Sequence, residues 1–222
     1  MIAFAVCVGS EEKYRRYAAP GIRLACEPDS IVAEVTTTES IFSAYNEVLE
    51  ALAPRQDLEA LVLLHEDTEI VDTAFCEKLR ARLAQPGVAV VGAVGARGVT
   101  SLAWWEGKGY GRAIETRGVV DFGGGSHDVD SVDGLLMALS PWAVRELRFD
   151  EESFTGFHGY DADICFQARA AGRRVVVEEL ALVHHTKGGY GDLEAFKRCD
   201  SAFRAKWFGA PARAGEVSEI SS

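Results

Sequence analysis

Residues 2–8 (IAFAVCV) are continuously apolar and close on Gly9-Ser10, the pattern of a short strand buried on both faces. Residues 58–64 (LEALVLL) and 88–94 (VAVVGAV) repeat that pattern. Between them the period changes. Ile41, Tyr45, Val48, Leu49 and Leu52 recur at helical spacing, which predicts a helix stopped by Pro54, with Thr36-Thr37-Thr38 supplying capping hydroxyls. A second helix is predicted from an Asp72 cap, with Phe75, Leu79 and Leu83 on one stripe and Gln85-Pro86-Gly87 as its end. Residues 22–25 and 31–36 read as further extended pieces. Strand, helix, strand, helix, strand is the order of an α/β fold: a mostly parallel central sheet with helices on both faces, Rossmann-like, in a single domain.

Residues 95–129 break this rhythm. They hold Trp104-Trp105 and Gly123-Gly124-Gly125 and are too long for a plain connector, so they read as a functional loop, a small antiparallel excursion or a partly disordered stretch. The glycine run is a flexible linker or a lid hinge. Order resumes at 132–139, followed by a short helix with Pro141 at its first position. A helix over 161–171 ends at Gly172, strands follow at 174–177 and 180–183, and Asp192 caps a last helix bearing Leu193, Phe196, Phe203 and Trp207. The domain is expected to span 1–208, with 95–129 as an irregular lid or acceptor segment and 209–222 as a tail too poor in apolar residues to pack.

Composition narrows the classes. With 48% hydrophobic and 26% charged residues, the 222-residue chain has an ordinary globular balance and the length to bury a core without staples. Its net charge of −11 argues against general affinity for nucleic acid or anionic membrane, while leaving room for a local basic pocket. Cys7, Cys26, Cys76, Cys165 and Cys199 are dispersed, odd in number and form no C-x-x-C, so they read as buried or free thiols of a reducing compartment. No run approaches the roughly 18 apolar residues of a membrane span, and Met1 opens directly onto the first strand without a basic leader. A cytoplasmic location with no transmembrane segment is expected.

Three clusters carry chemistry. His65-Glu66-Asp67-Thr68-Glu69 ends a buried strand, where ligands of open α/β sheets bind, and its oxygens suit a hard divalent cation that clamps phosphate. A solvated acidic turn is the alternative. Gly156-Phe157-His158-Gly159-Tyr160-Asp161-Ala162-Asp163 opens a helix whose macrodipole alone accounts for acids. Residues two apart on a helix diverge by about 200°, so only one of Asp161 and Asp163 can face a cleft. His184 and His185 end a strand and point to opposite faces, so at most one is a natural metal ligand, and a surface role is the alternative for each. Trp104 and Trp105 offer indole faces on which a sugar stacks or simply fill core, with one of the two expected in a cleft. Lys187 is within reach of a phosphate or solvated.

In order and spacing these clusters resemble the glycosyltransferase A-type (GT-A) fold, and specifically family-2-like inverting glycosyltransferases. The carriers are Leu63-Leu64-His65-Glu66-Asp67, Val132-Asp133-Gly134-Leu135-Leu136, Phe149-Asp150-Glu151, Tyr160-Asp161-Ala162-Asp163-Ile164-Cys165 with Gly172, and Leu182-Val183-His184. Ser40-Ile41-Phe42-Ser43-Ala44-Tyr45-Asn46 is most similar to the streptomycin-biosynthesis glycosyltransferase-like branch. The resemblance spans residues 2–189. It implies a Mn²⁺ or Mg²⁺ ion held by Asp67 and His184 with His65, a nucleotide-diphosphate sugar donor, and Asp161 as the base that takes the proton of a glycan or small-molecule hydroxyl acceptor. Glu66, Asn46, Asp133, Gly134, Trp104, Trp105 and Lys187 are the implied substrate contacts.

Three positions depart from the family pattern. Residues 35–39 (VTTTE) stand where an Asp-Asp-Gly-Ser-like stretch helps hold the nucleotide base, His65 replaces the first acid of the metal motif, and Tyr160 replaces the acid before the base. They motivate an alternative reading as a catalytically weak or inactive nucleotide-sugar or glycan-binding module of the same fold. A metal-dependent phosphoesterase is a third reading, disfavoured because each motif offers only one convincing carboxylate ligand.

Overall fold

The structure, a computed structural model, describes residues 1–36, 40–116, 118–186, 188 and 191–209. The expected hydroxyl caps Thr37 and Thr38, the substrate contact Lys187 and the tail from residue 210 onward lie outside the described residues.

Strand β1 (Ile2–Cys7) leads into a continuous helical stretch: α1 (Glu11–Lys13), a π-helical turn (Tyr14–Ala18) and α2 (Ala19–Ala25). Then come β2 (Ile31–Val35), α3 (Ile41–Leu52), β3 (Ala60–His65), β4 (Thr68–Ile70) and α4 (Phe75–Leu83). The strands β5 (Val88–Gly92) and β6 (Val94–Arg97) precede a 3-10 turn at Trp104–Glu106. Next are β7 (Lys108–Glu115), β8 (Gly118–Asp121), β9 (His127–Val129), β10 (Ser131–Val132) and β11 (Leu136–Leu139). The chain ends through α5 (Pro141–Glu146), α6 (Tyr160–Ala170), β12 (Arg174–Val177), β13 (Leu182–His184) and α7 (Leu193–Phe208).

The main sheet has seven strands in the order β2-β1-β3-β11-β5-β12-β9. Five run the same way, with β11 and β9 reversed. Residues of β1, β3, β5 and β11 are almost wholly buried, which is why their sequences are apolar without alternation. Phe4, Leu61, Leu63, Val90 and Met137 fill the core between the helix layers. A second sheet, β10-β6-β7-β13-β4 with β8 on β7, packs beside it.

The sheet of mostly co-directional strands is as the hydrophobic runs predict, and residues 95–129 take the form of the antiparallel excursion. Residues 22–25 are helical rather than extended. Tyr14, Ala18, Ala19, Ile22 and Ala25 are buried at helical spacing, a stripe disguised by Pro20-Gly21. The glycine is required there, since a Cβ on Gly21 would stand 2.3 Å from the Ile70 backbone nitrogen where α2 crosses β4. Ser40 caps α3 by accepting from the Phe42 amide. Asp72 forms a turn ahead of α4 instead of capping it directly, accepting from the Ala74 amide while Lys78 and the Ala181 amide take its other oxygen. All five cysteines are free thiols. No helix among the described residues is long and apolar enough to cross a membrane.

Candidate active site

The acidic groups and imidazoles described below come from the end of β3 and the turn after it, the start of the reversed β11, the first turn of α6 and the end of β13. After His65 the chain turns through Glu66 and Asp67 into β4. Glu66 Oε2 accepts from the Gly9 and Ser10 amides at 2.7 and 2.6 Å and so fastens the loop after β1. Asp67 is nearly buried. Its Oδ1 lies 3.4 Å from His184 Nε2 and its Oδ2 accepts from Lys13 Nζ at 3.2 Å. Burial opposes ionisation of Asp67, but the contacts with His184 and Lys13 outweigh it and hold the carboxyl well below its usual range.

Antiparallel pairing of β13 with β4 sets His184 opposite Thr68, and the His185 amide donates to the Asp67 carbonyl at 2.8 Å. His185 points elsewhere, stacked on Tyr17 and hydrogen-bonded to Glu69. Parallel pairing with β7 sets Glu115 beside His184, Oε1 3.8 Å from Nδ1. Burial disfavours the His184 imidazolium, yet Asp67, Asp133 and Glu115 together raise its pKa.

His65 Nε2 is 2.8 Å from the Tyr160 hydroxyl, which itself donates to the Gly134 carbonyl at 3.0 Å. A hydroxyl has one proton. Because Tyr160 gives it to Gly134, His65 is the donor to Tyr160 through Nε2–H, which leaves the lone pair on Nδ1. Burial and the neighbouring His184 keep His65 below its usual pKa, in the neutral form that ligates metals. One ligand atom each from His65, Asp67 and His184 lie within 4.8 Å of one another, a spacing that fits one metal ion. Among the described residues, the buried His184 Nδ1 has no hydrogen-bond partner.

Asp161 sits in the first turn of α6, after Gly159 with its left-handed φ of 91°. Its Oδ2 accepts from the Gly134 amide and its Oδ1 from the Ala162 amide, both at 2.9 Å. Burial and the neighbouring Asp133 carboxylate raise its pKa to about 6. Asp163 is turned away and 1% exposed, bound by Gln167, Lys206 and Trp207. Asp133 accepts from the Leu135 amide and from Trp104 Nε1. Gly134 lies beneath, where a Cβ would meet the Tyr160 hydroxyl at 2.2 Å.

These groups border a cleft of about 540 Å³. His65, Glu66, Asp67, Asp133, Asp161 and His184 all face it, as do both tryptophans where one was expected. Trp104 is buried and Trp105 is half exposed. Asn46 is not brought there. It lies on the buried face of α3, where its amide nitrogen donates to the Phe149 carbonyl and to Glu151 and its oxygen accepts from the Phe149 amide, so it ties a loop to the helix. Lys13 and Glu115 escaped the sequence reading. Lys13 had a signal, its place just past the end of the first buried strand. Glu115 had none, because it falls within the irregular segment.

A mixed α/β sheet with its polar groups gathered at the strand ends agrees with a GT-A-type fold, and solved glycosyltransferase structures share it. The model of the glycosyltransferase-like family matches residues 3–199, and the chain belongs to that family. It is 31% identical over 212 residues to the streptomycin biosynthesis protein StrF of Streptomyces griseus, covering 94% of this chain and 75% of that protein. Among solved structures, it resembles GalNAc-T7 with UDP, GalNAc and Mn²⁺ (TM-score 0.60, 9% identity, 90% of this chain and 47% of that one). It also resembles the mannosyltransferase PcManGT from Pyrobaculum calidifontis in complex with GDP-Man and Mn²⁺ (TM-score 0.54, 13% identity, 85% and 58%). A third likeness is to A197 from STIV (TM-score 0.55, 14% identity, 84% and 85%).

Proposed function

We propose that residues 1–208 transfer a sugar from a nucleotide-diphosphate donor to a hydroxyl acceptor with inversion, aided by a divalent cation. The observation that carries this reading is the joint presence in one cleft of a His65–Asp67–His184 ligand set and an Asp161 carboxyl whose pKa is about 6. The nucleotide and Mn²⁺ bound in GalNAc-T7 and PcManGT support it by analogy of fold.

His65, Asp67 and His184 would hold the cation. Two imidazoles with one carboxylate form a softer set than carboxylates alone and favour Mn²⁺ over Mg²⁺. A cation held there would supply positive charge to offset that of the departing diphosphate. Lys13, across from Asp67, adds a second positive group on the phosphate side. Asp161, ionised at neutral pH, takes the proton of the acceptor hydroxyl as that oxygen attacks the anomeric carbon. The carbon–oxygen bond to the diphosphate breaks on the opposite face, and a single displacement inverts the configuration.

One observation favours the binding-module alternative: both Asp161 oxygens already accept backbone amides. Each carboxylate oxygen retains a second lone pair, which is what the acceptor hydroxyl requires. Thermal-shift titration with UDP and GDP, with and without Mn²⁺, tests the reading. A nucleotide should raise the melting temperature only with the metal, and Asp67→Ala should abolish that dependence. Nucleotide binding with unchanged metal dependence in Asp67→Ala would remove the ligand set from the reading.

A further inference from the structure

Strands β7 and β8 form a hairpin whose two faces have different characters. Arg112 pairs with Asp121 on the outer face, beside Ile114 and Val119, which are 49% and 66% exposed. Ala113, Glu115, Val120 and Phe122 alternate with these and border a second chamber of about 480 Å³. Val94 and Leu135 also border this chamber, and Trp104 and Trp105 border both it and the main cleft. The chamber is built rather than incidental. Gly109 clears space for the Phe122 ring, which a Cβ would meet at 2.6 Å.

The chemistry of the walls is uneven. Among the described residues, the hairpin contributes Ala113, Val120 and Phe122 and a single charged group, Glu115. Phe122 and Trp105 keep 43% and 45% of their surface exposed, an arrangement that marks a binding face rather than core. Among the described residues, the polar side chains of the lining are Asp133, His184 and Thr186, which border both spaces, and Glu115 beside His184. A carbohydrate lying wholly within the apolar part would leave its hydroxyls without partners, at a cost that excludes it. An amphipathic molecule fits, with its apolar part against the hairpin and its hydroxyl-bearing head at Asp133. Gly134, the next residue, donates to Asp161, which borders the main cleft, so a head at Asp133 stands where the two spaces meet.

We propose that this chamber binds an apolar aglycone, alkyl or aryl, of the acceptor. The proposal rests on the reading of the main cleft as the donor site, and it specifies the acceptor class.

The test uses the full chain without donor or metal and compares hexyl β-glucoside with methyl β-glucoside by isothermal titration. The two share a head and differ only in methylenes that the chamber would take from water, so the hexyl compound should bind at least about tenfold more tightly. Val120 is half-buried on the edge strand, and Val120→Trp should fill the space and shrink the preference to under about twofold. Phe122→Ser, which removes wall instead of adding bulk, should also cut the preference severalfold if Val120→Trp disturbs the hairpin. Mn²⁺-dependent UDP or GDP binding should persist in both variants. Equal affinities, binding of neither glucoside, or a preference that survives both substitutions overturns the proposal. A change of oligomeric state in Val120→Trp without any glucoside preference would assign the face to a second copy of the chain instead. Failure of the donor reading would show separately, as absence of Mn²⁺-dependent nucleotide binding in the unmodified chain.

Discussion

His65 and Tyr160, which the sequence resemblance sets where acids are expected, are hydrogen-bonded to each other at 2.8 Å. The two positions are therefore physically coupled. Burial holds Tyr160 well above the usual phenol range and His65 below the usual imidazole range, so the pair is neutral at physiological pH. Acids at both positions would add negative charge beside Asp67, Asp133 and Asp161. A neutral pair avoids that repulsion and fixes the orientation of the His65 ring.

Tyr160→Phe keeps the ring contacts with Tyr45, Phe42 and Phe149 but leaves His65 Nε2–H and the Gly134 carbonyl without a partner. Denaturant unfolding should show a loss of about 1–3 kcal/mol. Because the ring loses its orienting acceptor, Mn²⁺ affinity by calorimetry should fall about tenfold or more. Unchanged affinity would mean that His65 is not a ligand.

Lys13 holds the oxygen of Asp67 that His184 does not, so it opposes a bare cation yet favours a diphosphate. Lys13→Met should tighten Mn²⁺ binding in the absence of nucleotide by about fivefold, the worth of a half-exposed ion pair. The same variant should weaken UDP or GDP binding in saturating Mn²⁺ by about tenfold, as expected for a lost charge-assisted hydrogen bond. Effects of the same sign in both titrations would refute this placement.

Asp161→Asn should lower transfer by about a hundredfold or more, the scale of a lost general base. In the wild type, kcat/KM should rise with pH through about 6. Stability follows the same proton. The folded pKa of about 6 exceeds the unfolded value of about 3.9, so the native state binds this proton more tightly. Its contribution is fully present below about pH 4 and is lost as pH rises through about 6. The stability of Asp161→Asn relative to wild type should therefore increase between those limits and be flat outside them, as read from unfolding midpoints across pH.

Asp163→Asn should act through the fold. The Asp163 carboxylate joins α6 to α7 through Lys206 and the Trp207 indole, at 2.8 Å each from Oδ1, and also accepts from Gln167. Disrupting this buried charged network should lower stability by about 3 kcal/mol. The fraction that stays folded should retain transfer, with the wild-type pH profile. A specific loss of turnover at full stability would exchange the roles of the two aspartates.

The sequence by itself determined the frame. Continuous apolar runs at β1, β3 and β5 and the helical stripe of α3 were legible because strands and helices buried along a whole face leave local periodicities. The three chemistry-bearing clusters were legible for a related reason: each lies at the end of a regular element, where the period stops and polar residues bunch. What stayed hidden depends on partners far along the chain. The helical stretch through Tyr14 and Ile22 takes shape only against β4, because Gly21 must admit the Ile70 backbone. Asn46 was a substrate contact by family resemblance alone. Its partners Phe149 and Glu151, more than a hundred residues away, make it a structural bridge. Lys13 reaches Asp67 across 54 positions. Glu115 meets His184 only because β13 pairs with β7 on one side and β4 on the other. Local sequence encodes where elements begin and end. Which side chains share a cleft was decided by strand pairing between distant segments, whose register no local periodicity records.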